Sequence, residues 1–244
     1  MNNFYKIDHT VKYSESDSAY HMRLDHIVAH FQDITGLHSN EMEIDGKTML
    51  EKSNAFWVLT KLKMKIERLP EFDETVEIET WPTTAKGVRF GRDYTIRKDG
   101  EPLVSCISEW CTLDFDTHRP RKVESVHYPH SMPHREDRSA AGEILRIKET
   151  VEETDLHHTY RSSFIDVDTN HHTNNVAYLR MFLNCFSPEE FAAFRPDEFQ
   201  ISFVSQTFYG DEIALYKKKT DYGFYVEGQR EGKSVFICIL TAKK

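Results

Sequence analysis

From residue 166 to 178 the chain reads Asp166-Val167-Asp168-Thr169-Asn170-His171-His172-Thr173-Asn174-Asn175-Val176-Ala177-Tyr178. This is its most polar stretch and the one that structural needs explain least. Helix interiors avoid such runs, because Asn and Asp side chains compete for backbone hydrogen bonds. Yet an apolar helical pattern begins where the run ends. Asn174 suits an N-cap, and the unpaired amides of a helix N-terminus favour developing negative charge. An elaborate cap with solvated histidines would satisfy the pattern. The alternation at 168, 170 and 172 points further, since alternate residues of an extended segment face one side. It would gather a carboxylate, an amide donor and an imidazole whose ordinary pKa of about 6.5 lets it take up or give a proton.

The elements that must hold this stretch are written twice. Lys98-Asp99-Gly100-Glu101-Pro102-Leu103-Val104-Ser105-Cys106-Ile107 aligns without a gap with Arg230-Glu231-Gly232-Lys233-Ser234-Val235-Phe236-Ile237-Cys238-Ile239. Such self-similarity marks a repeated structural unit. Upstream, Asp17-Ser18-Ala19-Tyr20-His21 precedes one helical pattern as Asp168 to His172 precedes another. Between helix and hairpin, Phe72 to Val76 and Tyr209 to Ile213 form a turn and strand in each copy.

Leu24, Ile27, Val28, Phe31, Ile34 and Leu37 recur at helical spacing, with Gly36 weakening the last turn. Trp57 to Ile66, Thr75 to Trp81, Arg92 to Arg97 and Leu103 to Leu113 alternate apolar and polar residues and predict antiparallel strands. The Lys-Asp-Gly and Arg-Glu-Gly turns predict hairpins. The second helix is expected from about Asn175 to Phe186, stopped or kinked by Pro188. A helix followed by an antiparallel sheet, twice, predicts an α+β double hot-dog. Residues 1–118 and 150–244 would each wrap a curved sheet round a helix, with 119–149 a linker crossing the surface.

The 244 residues are 39% hydrophobic, 12% aromatic and 29% charged, which suits a folded chain with a sizeable core. Lys+Arg 31 against Asp+Glu 40 gives a net charge of −9, which argues against nucleic acid as a partner. No apolar run approaches the roughly 20 residues of a membrane span, and the N-terminus lacks a signal pattern. A soluble cytoplasmic protein is expected. Cys106, Cys111, Cys185 and Cys238 form no C-x-x-C pair and read as reduced, mostly buried thiols.

The Asp168 to Tyr178 run resembles the D-x-N-x-H-x-N-N-x-x-Y signature of the plant and bacterial acyl-acyl carrier protein thioesterases. The resemblance covers nearly the whole chain. Trp57-Val58-Leu59-Thr60, Arg68-Leu69-Pro70, Glu79-Thr80-Trp81, Arg92-Asp93 and Trp110 look like family landmarks in the right order. It implies hydrolysis of a fatty-acyl thioester on acyl carrier protein, with no metal or organic cofactor. Asp168, Asn170 and His172 would correspond to the family's catalytic Asp, Asn and His. The family's catalytic Glu, followed by Cys in plant members, falls near Ser205-Gln206-Thr207, so Gln206, or Thr207 with a one-residue shift, stands there. A glutamine can orient a water but cannot take its proton. Asn170 would polarise the thioester carbonyl and His172 would activate water or protonate the leaving thiolate. Asp168 would orient His172 or act as the base.

The first-half segment Asp17 to Arg23 has no asparagine, which predicts one active site per chain. The first half would then wall the acyl chain through Leu24, Ile27, Val28 and Phe31, with Asn174 also binding substrate. His26 and His30 are expected to be solvated. His127, His130 and His134 have a metal-like spacing but lie in a Pro-containing linker. Lys217-Lys218-Lys219 and the Arg119, Arg121, Lys122 group read as solvated faces, though an acidic carrier protein would need a basic patch. No G-x-S-x-G elbow or P-loop is present. Hydrolysis of acyl-coenzyme A and a non-catalytic acyl-binding module are the alternatives. A monomer is plausible, and a homodimer is also compatible.

Overall fold

Every stretch read as alternating becomes a strand, and the computed structural model, which describes residues 2–129 and 135–243, joins them in one ten-stranded antiparallel sheet. The first half runs β1 (Tyr5–Thr10), α1 (Leu24–Glu41), α2 (Gly46–Ser53), β2 (Ala55–Ile66), β3 (Thr75–Pro82), β4 (Phe90–Lys98) and β5 (Glu101–Asp114). The second runs β6 (Leu156–Arg161), α3 (Asn175–Leu183), α4 (Pro188–Phe194), β7 (Pro196–Phe203), β8 (Glu212–Thr220), β9 (Gly223–Arg230) and β10 (Lys233–Ala242). The strand order is β1-β3-β4-β5-β2-β7-β10-β9-β8-β6, so the second half repeats the first in reverse. The halves join where Lys61 to Lys65 of β2 lie opposite Ser202 to Glu198 of β7.

The repeat is reproduced turn by turn. Asp99 and Gly100 have φ of 51° and 87°, and Glu231 and Gly232 have 52° and 73°. Two successive positive φ values make the turn that matches strand twist. Cys106 lies between Met64 and Tyr94, as Cys238 lies between Ile201 and Val226. Both thiols are fully buried, and burial drives their pKa well up.

The predicted stripe of α1 packs onto the sheet: Leu24, Ile27, Val28, Phe31 and Ile34 are at most 1% exposed and share one core with Val176 to Leu179, Met181 and Phe182 of α3. Each such side chain contributes about 1.5–3 kcal/mol on leaving water. Leu37 instead faces solvent, and His38 turns inward. His38 Nδ1 accepts from Arg92 Nη1 (3.1 Å) and its Nε2–H donates to the Asn2 carbonyl (3.1 Å). Burial, then the neighbouring guanidinium, lowers its pKa to about 4, so the ring is neutral.

Three expectations are corrected. Helix α3 ends at Leu183, and Pro188 opens α4 behind the Ser187 cap, because the first turn of a helix has no use for the N–H that proline lacks. Helix α1 runs 18 residues against 9 for α3, straight through Gly36. The described residues of 119–149 do more than cross the surface. Val123, Val126 and Tyr128 are buried with Met42, Ile44, Met49 and Phe90 in a second core. Arg138 clamps the buried Asp93 carboxylate (2.8 and 3.1 Å), Ser139 N donates to it (2.8 Å), and Leu145 exchanges two backbone hydrogen bonds with the Gln200 amide (2.8 and 2.7 Å). Without this strap, polar groups buried on β4 and β7 would lose their partners.

Candidate active site

A cavity of about 670 Å³ opens between the halves. Asp168, Asn170, His172, Asn174 and Gln206 all line it on the second-half side. The polar run is a tight loop, however, and not the extended segment expected. His171 has φ of 62°, the Asp168 N–H donates to the His172 carbonyl (2.9 Å), and the His171 N–H donates to the Asp168 carbonyl (3.0 Å). Asp168 Oδ1 accepts from the backbone N–H of Asn170 (2.8 Å) and of His172 (3.3 Å). The carboxylate therefore shapes the loop that carries the other two side chains. The expected link from Asp168 to the imidazole of His172 is not among the hydrogen bonds of the described residues. His172 instead meets the ring of Phe208, edge to face, at 5.2 Å.

The loop is anchored from behind. Thr173 N donates to the Thr207 carbonyl (2.8 Å), and Thr207 Oγ1 donates to Thr173 Oγ1 (2.7 Å) while bonded to the Tyr178 hydroxyl (2.9 Å). Thr207 is fully buried in this network, whereas Gln206 lines the cavity. Of the two positions left open by the sequence, Gln206 is the one at the cavity. Asn174 Oδ1 caps α3 by accepting from Val176 N (2.8 Å) and also accepts from the Gln32 amide (3.3 Å). Asn174 thus lines the cavity at the N-terminus of α3.

The opposite wall differs from expectation. Leu24, Ile27, Val28 and Phe31 belong to the core and are not among the lining residues. The next stripe of the same helix, Gln32, Thr35, Gly36 and Ser39, borders the cavity, and at Gly36 an added Cβ would meet nothing within 4 Å. A helix face that packs on a sheet cannot also line open space. A run of small and polar residues at i, i+3, i+4 and i+7 beside the apolar stripe was the signal for this wall. Beyond it the lining is largely apolar, with Ile44, Leu50, Leu59, Phe90 and Trp110 and with Tyr128 from the strap, and it includes the charged Asp45 and Arg92. Trp57 is fixed by donating Nε1–H to the Ile44 carbonyl (2.7 Å) and by its edge contact with Phe90 at 4.7 Å.

Other expected solvated residues are engaged. His30 and His26 lie beside Glu15 and Asp25, at 3.1 and 3.9 Å. The Lys217 ammonium lies over the Phe186 and Phe224 rings and donates to the Cys185 carbonyl. Arg121 pairs with Asp114 at 3.1 Å. His130 and His134 lie outside the described residues. No helix among the described residues is long and apolar enough to cross a membrane.

Two hot-dog units in one chain, with the second-half polar loop facing a cavity between them, define a double hot-dog protein. Residues 2–128 match the family model of the acyl-ACP thioesterase N-terminal domain, and residues 149–237 match that of the C-terminal domain. The chain belongs to the acyl-ACP thioesterase family. It is 28% identical over 145 residues to an acyl-[acyl-carrier-protein] hydrolase, chloroplastic, of Cuphea viscosissima, a match covering 57% of this chain and 35% of the relative. It is 28% identical over 153 residues to an oleoyl-acyl carrier protein thioesterase, chloroplastic, of Coriandrum sativum, covering 57% and 41%. The match thus spans less than half the length of these curated relatives. The fold is shared with the crystal structure of an acyl-ACP thioesterase from Bacteroides thetaiotaomicron (TM-score 0.86, 20% identity, 99% and 98% of the two chains). It is shared equally with a 12:0-ACP thioesterase from Umbellularia californica (TM-score 0.85, 15% identity, 100% and 98%).

Proposed function

We propose that this protein hydrolyses the thioester of a fatty-acyl chain carried by acyl carrier protein, releasing the free acid. The observation that carries this reading is one cavity that brings Asn170, His172 and Gln206 together with a largely apolar wall that includes Leu50, Leu59, Phe90 and Trp110, beside the polar α1 stripe and the charged Asp45 and Arg92. The acyl chain lies against α1, α2 and the starts of β2 and β4. Asn170 donates to the thioester carbonyl and, with the amides at the start of α3, stabilises the oxyanion of the tetrahedral intermediate. Gln206 holds the attacking water through its carbonyl oxygen. His172 takes the water's proton and returns it to the leaving thiolate. Asp168 is assigned to positioning, because its carboxylate is hydrogen-bonded to the loop backbone.

The four cysteines form no disulfide, which suits a reducing compartment such as the cytoplasm. Two halves already pair within one chain, so a monomer supplies the whole site and a homodimer is not required for it. The test is to incubate the purified protein with acyl carrier protein and coenzyme A thioesters of graded chain length and measure released thiol. Faster release from the carrier protein supports the proposal, equal or faster release from coenzyme A reassigns the carrier, and no release from either refutes hydrolysis.

A further inference from the structure

His9 on β1, Glu15 in the following 3₁₀ turn (Tyr13–Glu15) and His30 on α1 converge at the edge of the first half, outside the cavity lining. Both oxygens of Glu15 accept from an imidazole Nε2–H, His9 at 2.8 Å and His30 at 3.1 Å, and the two rings are 4.0 Å apart. No Lys or Arg pairs with this carboxylate among the described residues.

The second half shows what the fold itself needs here. Arg23 N donates to the Glu15 carbonyl as Asn174 N donates to that of Asp166, which makes Asp166 the counterpart of Glu15. The same register makes Tyr160 the counterpart of His9 and Met181 that of His30. In both halves the carboxylate closes a short turn, accepting from Lys12 N or Ser163 N (2.8 Å each). In the second it also accepts two hydroxyls, those of Tyr160 (2.9 Å) and Ser163 (2.8 Å), both at Oδ2, and Asp166 Oδ1 has no hydrogen-bond partner among the described residues. The turn therefore closes on hydroxyl and backbone donors to one oxygen, without any imidazole. The first half replaces the tyrosine by an imidazole and adds a second imidazole where the repeat has a buried methionine.

We propose that His9, Glu15 and His30 form a zinc site. Their donor atoms all lie within 4.8 Å of one another, and donors around a tetrahedral zinc are separated by about 3.4 Å, so small side-chain shifts admit the ion. Two imidazoles and a carboxylate are ligands zinc accepts, with water in the fourth position. The side chains are 12–16% exposed, which leaves that position open to solvent. Coordination through Nε2 replaces the two bonds to Glu15, the proton of each neutral ring moving to Nδ1 through solvent. The ion would clamp β1 to α1 and would stabilise the fold without entering the cavity.

The test is titration of chelator-treated protein with zinc alone, in competition with a chromophoric chelator, alongside thermal unfolding. One equivalent should bind and raise Tm. His9→Tyr and His30→Met, which install the residues of the other half, should each weaken binding at least about 100-fold and remove the Tm rise. Glu15→Gln should act likewise, and circular dichroism reports folding of each variant. His157→Gln with His158→Gln, altering the other close donor group, should leave binding intact. No stoichiometric binding to the wild type would overturn the site. So would unchanged binding in folded His9→Tyr and His30→Met, or loss of binding in the His157 and His158 variant.

Discussion

Asp17 and Asp168 build the same loop in the two halves. Asp17 Oδ1 accepts from Ala19 N (2.8 Å) and His21 N (2.9 Å), Asp17 N donates to the His21 carbonyl (2.8 Å), and Tyr20 has φ of 64°. These are the contacts made by Asp168, Asn170, His172 and His171 in the other half. Side chains distinguish them: Ala19 stands for Asn170, Arg23 for Asn174 and Leu69 for Gln206. The space beneath differs too. The loop of the second half faces the extra turns of α1, while α3 is too short to wall a mirror cavity. There Phe186, Phe191, Phe194 and Phe224 fill the corresponding region, with ring centroids 5.0–5.8 Å apart. A shared backbone therefore identifies what the fold requires, and what differs identifies the chemistry.

The comparison can be broken most sharply at Asn170. Asn170→Ala should lower kcat/KM by about 100- to 1,000-fold through lost oxyanion donation, while Ala19→Asn leaves hydrolysis unchanged. A gain from Ala19→Asn would show that the first-half loop also faces substrate. At the shared aspartate, Asp168→Ala should cost about 100-fold, because the loop carrying Asn170 and His172 loosens. Asp17→Ala should lose stability only, by about 1–2 kcal/mol in denaturant unfolding. Equal activity losses in both would make the loops interchangeable.

Gln206 sharpens the contrast with Leu69. Gln206→Ala should lose activity without abolishing it, and Gln206→Glu should change the pH dependence of kcat/KM, since a carboxylate there titrates with its neighbours. Unchanged profiles in both would remove Gln206 from the site. The smallest effect is expected at Gly36. Gly36→Leu fills open space in the cavity and should shift preference to shorter chains, by about fourfold for each methylene displaced, the equivalent of about 0.8 kcal/mol. An unaltered chain-length profile would place the acyl chain elsewhere.

Much of this was legible in the sequence because repeats and periodicity report local geometry. The hairpins at Gly100 and Gly232 and the strands follow from turn residues and alternation, whereas the polar run, read as extended, folds into a tight loop. Asp168, Asn170, His172 and Gln206 all line one cavity, but the turn at His171 and the backbone bonds of Asp168 depend on hydrogen bonds that no spacing records. Leu24 to Phe31 do not line the cavity because apolar periodicity marks the face that packs, and so they drew attention from Thr35, Gly36 and Ser39, which do line it. The strap was hidden for a different reason. Arg138 and Leu145 are placed by buried partners on distant strands, Asp93 and Gln200, and carry no pattern of their own.

The most direct measurement is kcat/KM for thiol release from an acyl-acyl carrier protein by His172→Ala and His21→Ala, side by side with the wild type. These histidines occupy equivalent places in the two loops, but only one faces the cavity. His172→Ala should fall by at least about 100-fold with unfolding unchanged, as expected for loss of an acid–base group, and His21→Ala should stay within about twofold. Wild-type turnover by His172→Ala, or an equal loss in His21→Ala, would contradict a single site built on the second-half loop.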